Sequence, residues 1–161
     1  MSVSTSLESY AAEQEGAPRW FLGSLAWVKA TGEQTGGRLS LVEHVLPAGA
    51  ASPWHVHHTE DESFYVIEGQ LTVALGDKRL SLRRGGFAFG PRDVPHGFRV
   101  EGQQPAHILL MTNSADFANF LLEASEPAAG PTLPEPSMPD LPRLAALASK
   151  YGTELLGPFP E

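Results

Sequence analysis

Two histidines one residue apart, followed by a glutamate after a short polar turn, mark the segment GAASPWHVHHTEDESFYVIEG at residues 49–69. Side chains alternate across a strand, so His55 and His57 share a face about 7 Å apart along the chain. That spacing lets two imidazoles approach one ion from neighbouring directions. Thr59, Glu60 and Asp61 form the turn, and Glu62 opens the next strand. If the two strands pair antiparallel, the Glu62 carboxylate reaches the same ion. A second segment, GGFAFGPRDVPHGFRV at residues 85–100, places His96 at the start of a strand behind Pro91 and Pro95. Proline fixes its own φ and so sets the approach of the chain to His96. Imidazole and carboxylate ligands suit iron, manganese, cobalt, nickel, copper or zinc, so one divalent transition metal is expected. Four protein ligands would leave one or two positions open on a five- or six-coordinate ion, as a reactive site requires.

Composition narrows the chemistry further. The chain has no cysteine, which excludes a thiolate site, a disulfide and a cysteine nucleophile. Its net charge of -8 argues against nucleic acid and anionic membrane surfaces as partners. No apolar run approaches the roughly 20 residues needed to span a bilayer. Residues 1–17 lack the basic start and apolar core of a secretion signal, so a cytoplasmic location is expected.

The elements that must position these side chains read as short strands. The 161 residues suit one domain, with a flexible arm at 1–17, a barrel at 18–113 and a tail at 114–161. Apolar runs at 20–29, 38–46, 54–58, 62–67, 70–75, 78–83, 87–89, 97–100 and 106–112 are separated by Gly- and Pro-rich turns, the signature of an all-β sandwich or barrel. Residues 31–37 read as a turn. In the tail, Ser114 or Asp116 can cap a helix bearing Phe117, Phe120, Leu121 and Ala124 on one face. A proline-rich linker at 126–139 leads to a second helix capped by Asp140, with Leu144, Leu147, Ala148 and Tyr151 as its stripe and Gly152 at its end. Both helices are expected to pack on the outside of the barrel.

Gly49, His55, His57, Glu62 and Gly69 reproduce the first motif of the cupin superfamily without a gap. Gly85, Pro91 and His96 match the second motif, with Asp93 where glycine is usual and Val100 where asparagine is usual. The chain thus resembles a small bacterial cupin of the quercetin-dioxygenase-like group. The runs from Trp20 and at LAALASKYGTELLGP share that likeness. The resemblance implies a jelly-roll β-barrel, or double-stranded β-helix, with short C-terminal helices. It implies His55, His57, Glu62 and His96 as the metal ligands.

It also implies a metal-dependent dioxygenase acting on a small aromatic, flavonol-like substrate. The substrate's enolate or phenolate oxygen would take the open position, and Glu62 would serve as both ligand and catalytic base. Two other functions fit the same residues. One is a Lewis-acid isomerase, lyase or cyclase; the other is a cupin that binds a small molecule without converting it. Phe64 and Val66 alternate with Glu62, Phe98 alternates with His96, and Phe89 lies on a short neighbouring strand. These four are the expected walls of a substrate pocket. Tyr65 and Ile67 face the other way, so that face should be covered by the N-terminal strands and C-terminal helices or by a second subunit, and the resemblance implies a homodimer. His58 should lie at the surface or just behind the metal's ligands. His44 and His107 should be hydrogen-bonded wall residues, with His44 the one that could line the cavity.

Overall fold

The computed structural model describes residues 16–161; residues 1–15 of the expected arm lie outside them. The first half of the chain comprises β1 (Arg19–Phe21), β2 (Ser24–Ala30), α1 (Gly32–Thr35), β3 (Ser40–Leu46), β4 (Trp54–His57), β5 (Glu62–Glu68), β6 (Gln70–Leu75) and β7 (Lys78–Arg83). The second half comprises β8 (Phe87–Gly90), β9 (His96–Val100), β10 (Ala106–Thr112), α2 (Asp116–Ala124), β11 (Glu126–Pro127), α3 (Leu141–Lys150) and β12 (Thr153–Gly157). Two antiparallel sheets face each other. One has the order β11-β1-β2-β3-β10-β5-β8 and the other β12-β4-β9-β6-β7. The strand pattern predicts a sandwich or barrel, and this is the jelly-roll form of it that the resemblance implies.

Alternation explains the core. Val42, His44 and Leu46 of β3, Phe64 and Val66 of β5, and Ile108 and Leu110 of β10 all point between the sheets and are buried. Register carries that parity from strand to strand, because directly opposed residues share a face. Leu110 therefore sits between Val42 and Phe64.

The structure departs from the expected pattern at several points. The expected strand at 20–29 is a hairpin, turned at Leu22 and Gly23, whose positive φ angles of 48 and 78° are those that a two-residue turn needs to follow the right-handed twist of its strands. The turn at 31–37 contains the short helix α1, closed by a reciprocal Thr31–Gln34 capping box. Strands β4 and β5 do not pair. Residues 58–61 carry the chain from the five-stranded sheet to the seven-stranded one, so Glu62 approaches the histidines from across the sandwich.

The tail contributes to both sheets. β11 pairs with β1, and β12 pairs with β4. Neither carries a readable strand signal: β11 has two residues, and β12 reads TELLG with one buried side chain. Asp140 caps α3 by accepting from Arg143 N. Asp116 opens α2 as its first residue, and its backbone N–H donates to Ser114 Oγ at 3.0 Å. The inner faces of both helices close the end of the sandwich, with Phe117, Phe120, Leu121, Leu144 and Ala148 buried. No helix among the described residues is long and apolar enough to cross a membrane.

The outer face of β5 and β8 is apolar and open. Tyr65 opposes Phe87 and Ser63 opposes Phe89 in the register, and both phenylalanines are more than half exposed. Gly69, between β5 and β6, has φ of +89°, and a Cβ there would stand 2.8 Å from Ala106 Cα. Left-handed backbone and a backbone clash together demand glycine. Gly69→Ala should therefore lower unfolding stability by about 1–3 kcal/mol in urea titrations; an unchanged midpoint would show that the turn relaxes freely.

Candidate metal centre

His55 and His57 lie two apart on β4 and point inward together. His55 opposes His96 in the β4–β9 register, which brings the third imidazole to the same face. Glu62, first residue of β5, enters from the facing sheet. One ligand atom from each of these four residues lies within 4.8 Å of the other three. Nε2 of His96, His57 and His55 stand 2.9, 3.5 and 3.8 Å from Glu62 Oε2. Ligands about 2.1 Å from a common ion and at right to tetrahedral angles lie about 3.0–3.4 Å apart, so the group is close to a coordination shell.

The backs of the rings are tied down. His55 Nδ1 donates to Pro53 O at 2.7 Å, and His96 Nδ1 donates to Val94 O at 2.9 Å. His57 Nδ1 lies 2.9 Å from Thr153 Oγ1. A carbonyl can only accept, so neutral His55 and His96 carry hydrogen on Nδ1 and present bare Nε2 lone pairs inward. His57 Nε2 is buried without a hydrogen-bond partner. Lone pairs gathered around a carboxylate repel one another unless a proton or a cation stands among them. The donor set therefore fits a metal ion, by the chemistry of its own contacts.

The electrostatics agree with this. Burial by itself would raise the Glu62 carboxyl, but the surrounding His55, His57 and His96 outweigh it and hold the group well below the usual carboxylate range. Burial lowers His55. Burial also opposes charge on His57, yet the Glu62 carboxylate outweighs it and raises that imidazole. The site is thus an anionic point ringed by imidazoles that differ in their ease of protonation.

Neighbouring groups fix the two motifs to each other. Asp93 N donates to His57 O at 2.8 Å. Asp93 stands where the resemblance expects glycine, and its φ of 62° is the left-handed conformation that Asp tolerates better than most residues. Asp61 accepts from Arg92 N and Nε and from Asn113 Nδ2, tying the turn before Glu62 to the loop before His96. Those hydrogen bonds, Arg92's first, bring its carboxyl down to about 2.

Two functional neighbours escape the sequence reading. Glu60 is fully buried, accepts from Ser114 Oγ at 2.6 Å, and places Oε1 3.3 Å from His57 Nδ1. Burial raises its carboxyl above the ordinary value. Thr153 opposes His57 in the β4–β12 register, 96 residues away in the chain. A polar turn and a distant threonine carry no local signal of either role.

A cavity opens onto His55, His57 and Glu62, while His96 stands behind them with no exposed surface. Its other walls include Phe21, Leu46, Phe98, Leu110, Phe117 and Phe120. Water centres can occupy about 90 Å³ of it, several times the ~10–15 Å³ that one water needs by this measure. Of the expected pocket residues, Phe98 lines this space. Phe64 and Val66 are fully buried core residues outside its wall. Phe89 is corrected outright: Glu62 opposes Gly90 and Phe64 opposes Ala88, so the inward positions of β8 are Ala88 and Gly90, and Phe89 points to solvent. A side chain at Gly90 would meet His96 Nδ1 and Leu75 at 3.3 Å, so the small inward residue leaves room for the ring.

The remaining histidines divide as their strands dictate. His58 is exposed between Asp93 and Glu154. His107 meets Glu43 at 2.6 Å. His44 is buried and lines the cavity, and burial pushes its imidazole down to about 4.

Residues 42–112, which contain all four converging groups, match the cupin domain family. The chain is 32% identical over 90 residues to quercetin 2,3-dioxygenase of Bacillus subtilis, covering 56% of this chain and 27% of that enzyme. It is 30% identical over 74 residues to an uncharacterized protein of Methanocaldococcus jannaschii, covering 46% of this chain and 59% of the other. The matches thus span less than two thirds of either relative. An RmlC-like cupin from Shewanella frigidimarina superposes with a TM-score of 0.56 at 18% identity, over 67% of this chain and 93% of that one, a likeness of fold.

Two outcomes follow from this geometry. Thr153→Val keeps the shape but releases His57 Nδ1, and should weaken metal affinity about 10- to 100-fold in competition titrations; unchanged affinity would show that Glu60 or packing holds the ring. His44 supplies a pH signature. Unfolded, it takes a proton near the ordinary 6.5; folded, it stays neutral down to about 4. Its contribution is fully present above 6.5 and is lost as pH falls toward 4, by about 3 kcal/mol. Wild type should lose correspondingly more stability than His44→Leu across that window, and parallel curves would contradict the neutral buried state.

Proposed function

We propose that this chain, whose residues 42–112 match the cupin domain family, is a metal-dependent oxygenase acting on a small aromatic substrate that carries an acidic hydroxyl. The observation that carries this reading is the convergence of three Nδ1-tethered imidazoles and one carboxylate, with His55, His57 and Glu62 at the wall of an apolar, aromatic-lined cavity. The partial likeness to quercetin 2,3-dioxygenase over the same region supports the choice of reaction.

A divalent transition metal held by His55, His57, Glu62 and His96 would supply Lewis acidity to a neighbouring hydroxyl and, for a redox-active ion, a route for electrons to dioxygen. The chain's own residues do the rest. Phe98, Phe117 and Phe120 take up a planar guest and exclude water from the polar end of the cavity. Glu62 is the carboxylate that the cavity reaches, and it is ionised, so it can accept a hydrogen bond or a proton from a bound hydroxyl. The imidazoles that depress its pKa also weaken it as a base. Proton transfer to Glu62 is therefore confined to a hydroxyl already made acidic.

Protein purified without chelator should contain one transition metal per chain and consume oxygen in step with loss of a flavonol or catechol. His55→Ala combined with His57→Ala should cut metal content at least about tenfold, as two ligands are lost, while far-ultraviolet circular dichroism stays native. Turnover without oxygen uptake would replace the oxygenase by an isomerase, lyase or cyclase. Tight binding without conversion would make it a binding protein, and wild-type protein that retains no metal would remove the proposal.

A further inference from the structure

His44 is not among the four converging groups, yet it faces the same cavity. It sits on β3, in the sheet that supplies Glu62, and is 2% exposed. Its neighbours are aromatic: the Phe21 ring lies 6.1 Å away edge-on and the Phe117 ring 6.3 Å away. The Phe117 ring also stands 6.5 Å from His57, so it lies close to both histidines. His44 Nε2 is buried and has no hydrogen-bond partner. An unpaired polar atom in an apolar interior is costly, and a ligand that pairs with it recovers that cost.

The other side of the ring determines what Nε2 can accept. Ser24 Oγ lies 3.4 Å from His44 Nδ1 and 2.6 Å from Phe21 O. The Phe21 carbonyl can only accept, so the serine hydroxyl donates to it. Ser24 Oγ then has only lone pairs to offer His44, and Nδ1 must carry the ring hydrogen. This leaves Nε2 as a bare acceptor. Burial disfavours the imidazolium, which keeps the second hydrogen off the ring at neutral pH.

We propose that His44 Nε2, oriented through Ser24, is the specificity-determining anchor of the cavity: it selects a planar apolar molecule that turns a hydroxyl or N–H donor toward β3. This deepens the oxygenase reading and rests on it only for the identification of the cavity as the substrate site. An ether or a carboxylate at that point would place lone pair against lone pair. The anchor therefore discriminates by donor character, which a greasy wall alone cannot do.

Indole and benzofuran make the test. They are nearly the same shape, but only indole has a donor, and its nitrogen has no lone pair free to coordinate a metal. Calorimetry on the metal-containing full chain should show indole binding about tenfold tighter than benzofuran. His44→Leu should bring that ratio to about one while benzofuran affinity stays near wild type, and His44→Gln, which retains an acceptor oxygen, should restore part of the preference. Two-bond proton–nitrogen spectra should show hydrogen on Nδ1 of His44, with the Nε2 resonance moving when indole, but not benzofuran, is added. If His44→Leu does not fold, the wild-type spectra and Ser24→Ala, which frees the tautomer and should reduce the ratio, decide the matter. Equal affinities in wild type, no binding of either probe, or hydrogen resident on Nε2 would overturn the proposal. Failure of oxygen uptake with the indole preference intact would remove the oxygenase reading and leave the anchor standing.

Discussion

The crowding of three imidazole nitrogens and one carboxylate at a single buried point is the constraint on which the site depends. In a low-dielectric interior such a cluster is unfavourable unless positive charge sits in it. The fold does not relieve the cluster by turning the rings away. It holds each Nδ1 against a fixed partner, Pro53 O, Thr153 Oγ1 or Val94 O, and so forces Nε2 toward Glu62. The geometry is prepared at the expense of local electrostatics, as expected where function rather than stability determines the residues.

The preparation comes from several levels of the structure. Strand alternation aims His55 and His57 together, and register adds His96 beside them. The crossing at residues 58–61 then brings Glu62 from the opposite sheet, so the site joins the two layers. Asp61 with Arg92, and Asp93 N with His57 O, lock the two motif-bearing loops to each other. The tail supplies Thr153 through β12 and closes the cavity with Phe117, Phe120 and Leu144. Core, site and cavity are therefore one packing problem: the aromatic side chains that seal the end of the sandwich also shape the space beside the polar groups.

Much of this was readable in the linear chain because strand geometry is local. Two histidines at i and i+2 must share a face, and prolines before His96 announce a fixed turn. What escaped was set by tertiary placement. Thr153 lies on an edge strand whose sequence TELLG does not alternate, and Glu60 looks like any acidic turn residue until Ser114 and His57 close around it. Phe89 misleads for a different reason. The rule that bulky apolar residues face inward fails on β8, where Ala88 and Gly90 occupy the crowded side next to Phe64, Glu62 and His96. A short turn between the histidine strand and the Glu62 strand predicts that the two pair antiparallel. In this sandwich that turn instead changes sheets.

X-ray absorption on the metal-loaded protein addresses the convergence itself. The account predicts a shell at about 2.0–2.2 Å whose scattering requires three imidazoles, together with oxygen from one carboxylate. A shell of oxygen alone, or one fitted by a single imidazole, would mean that the ion binds elsewhere and that the buried cluster of His55, His57, Glu62 and His96 is not built to hold it.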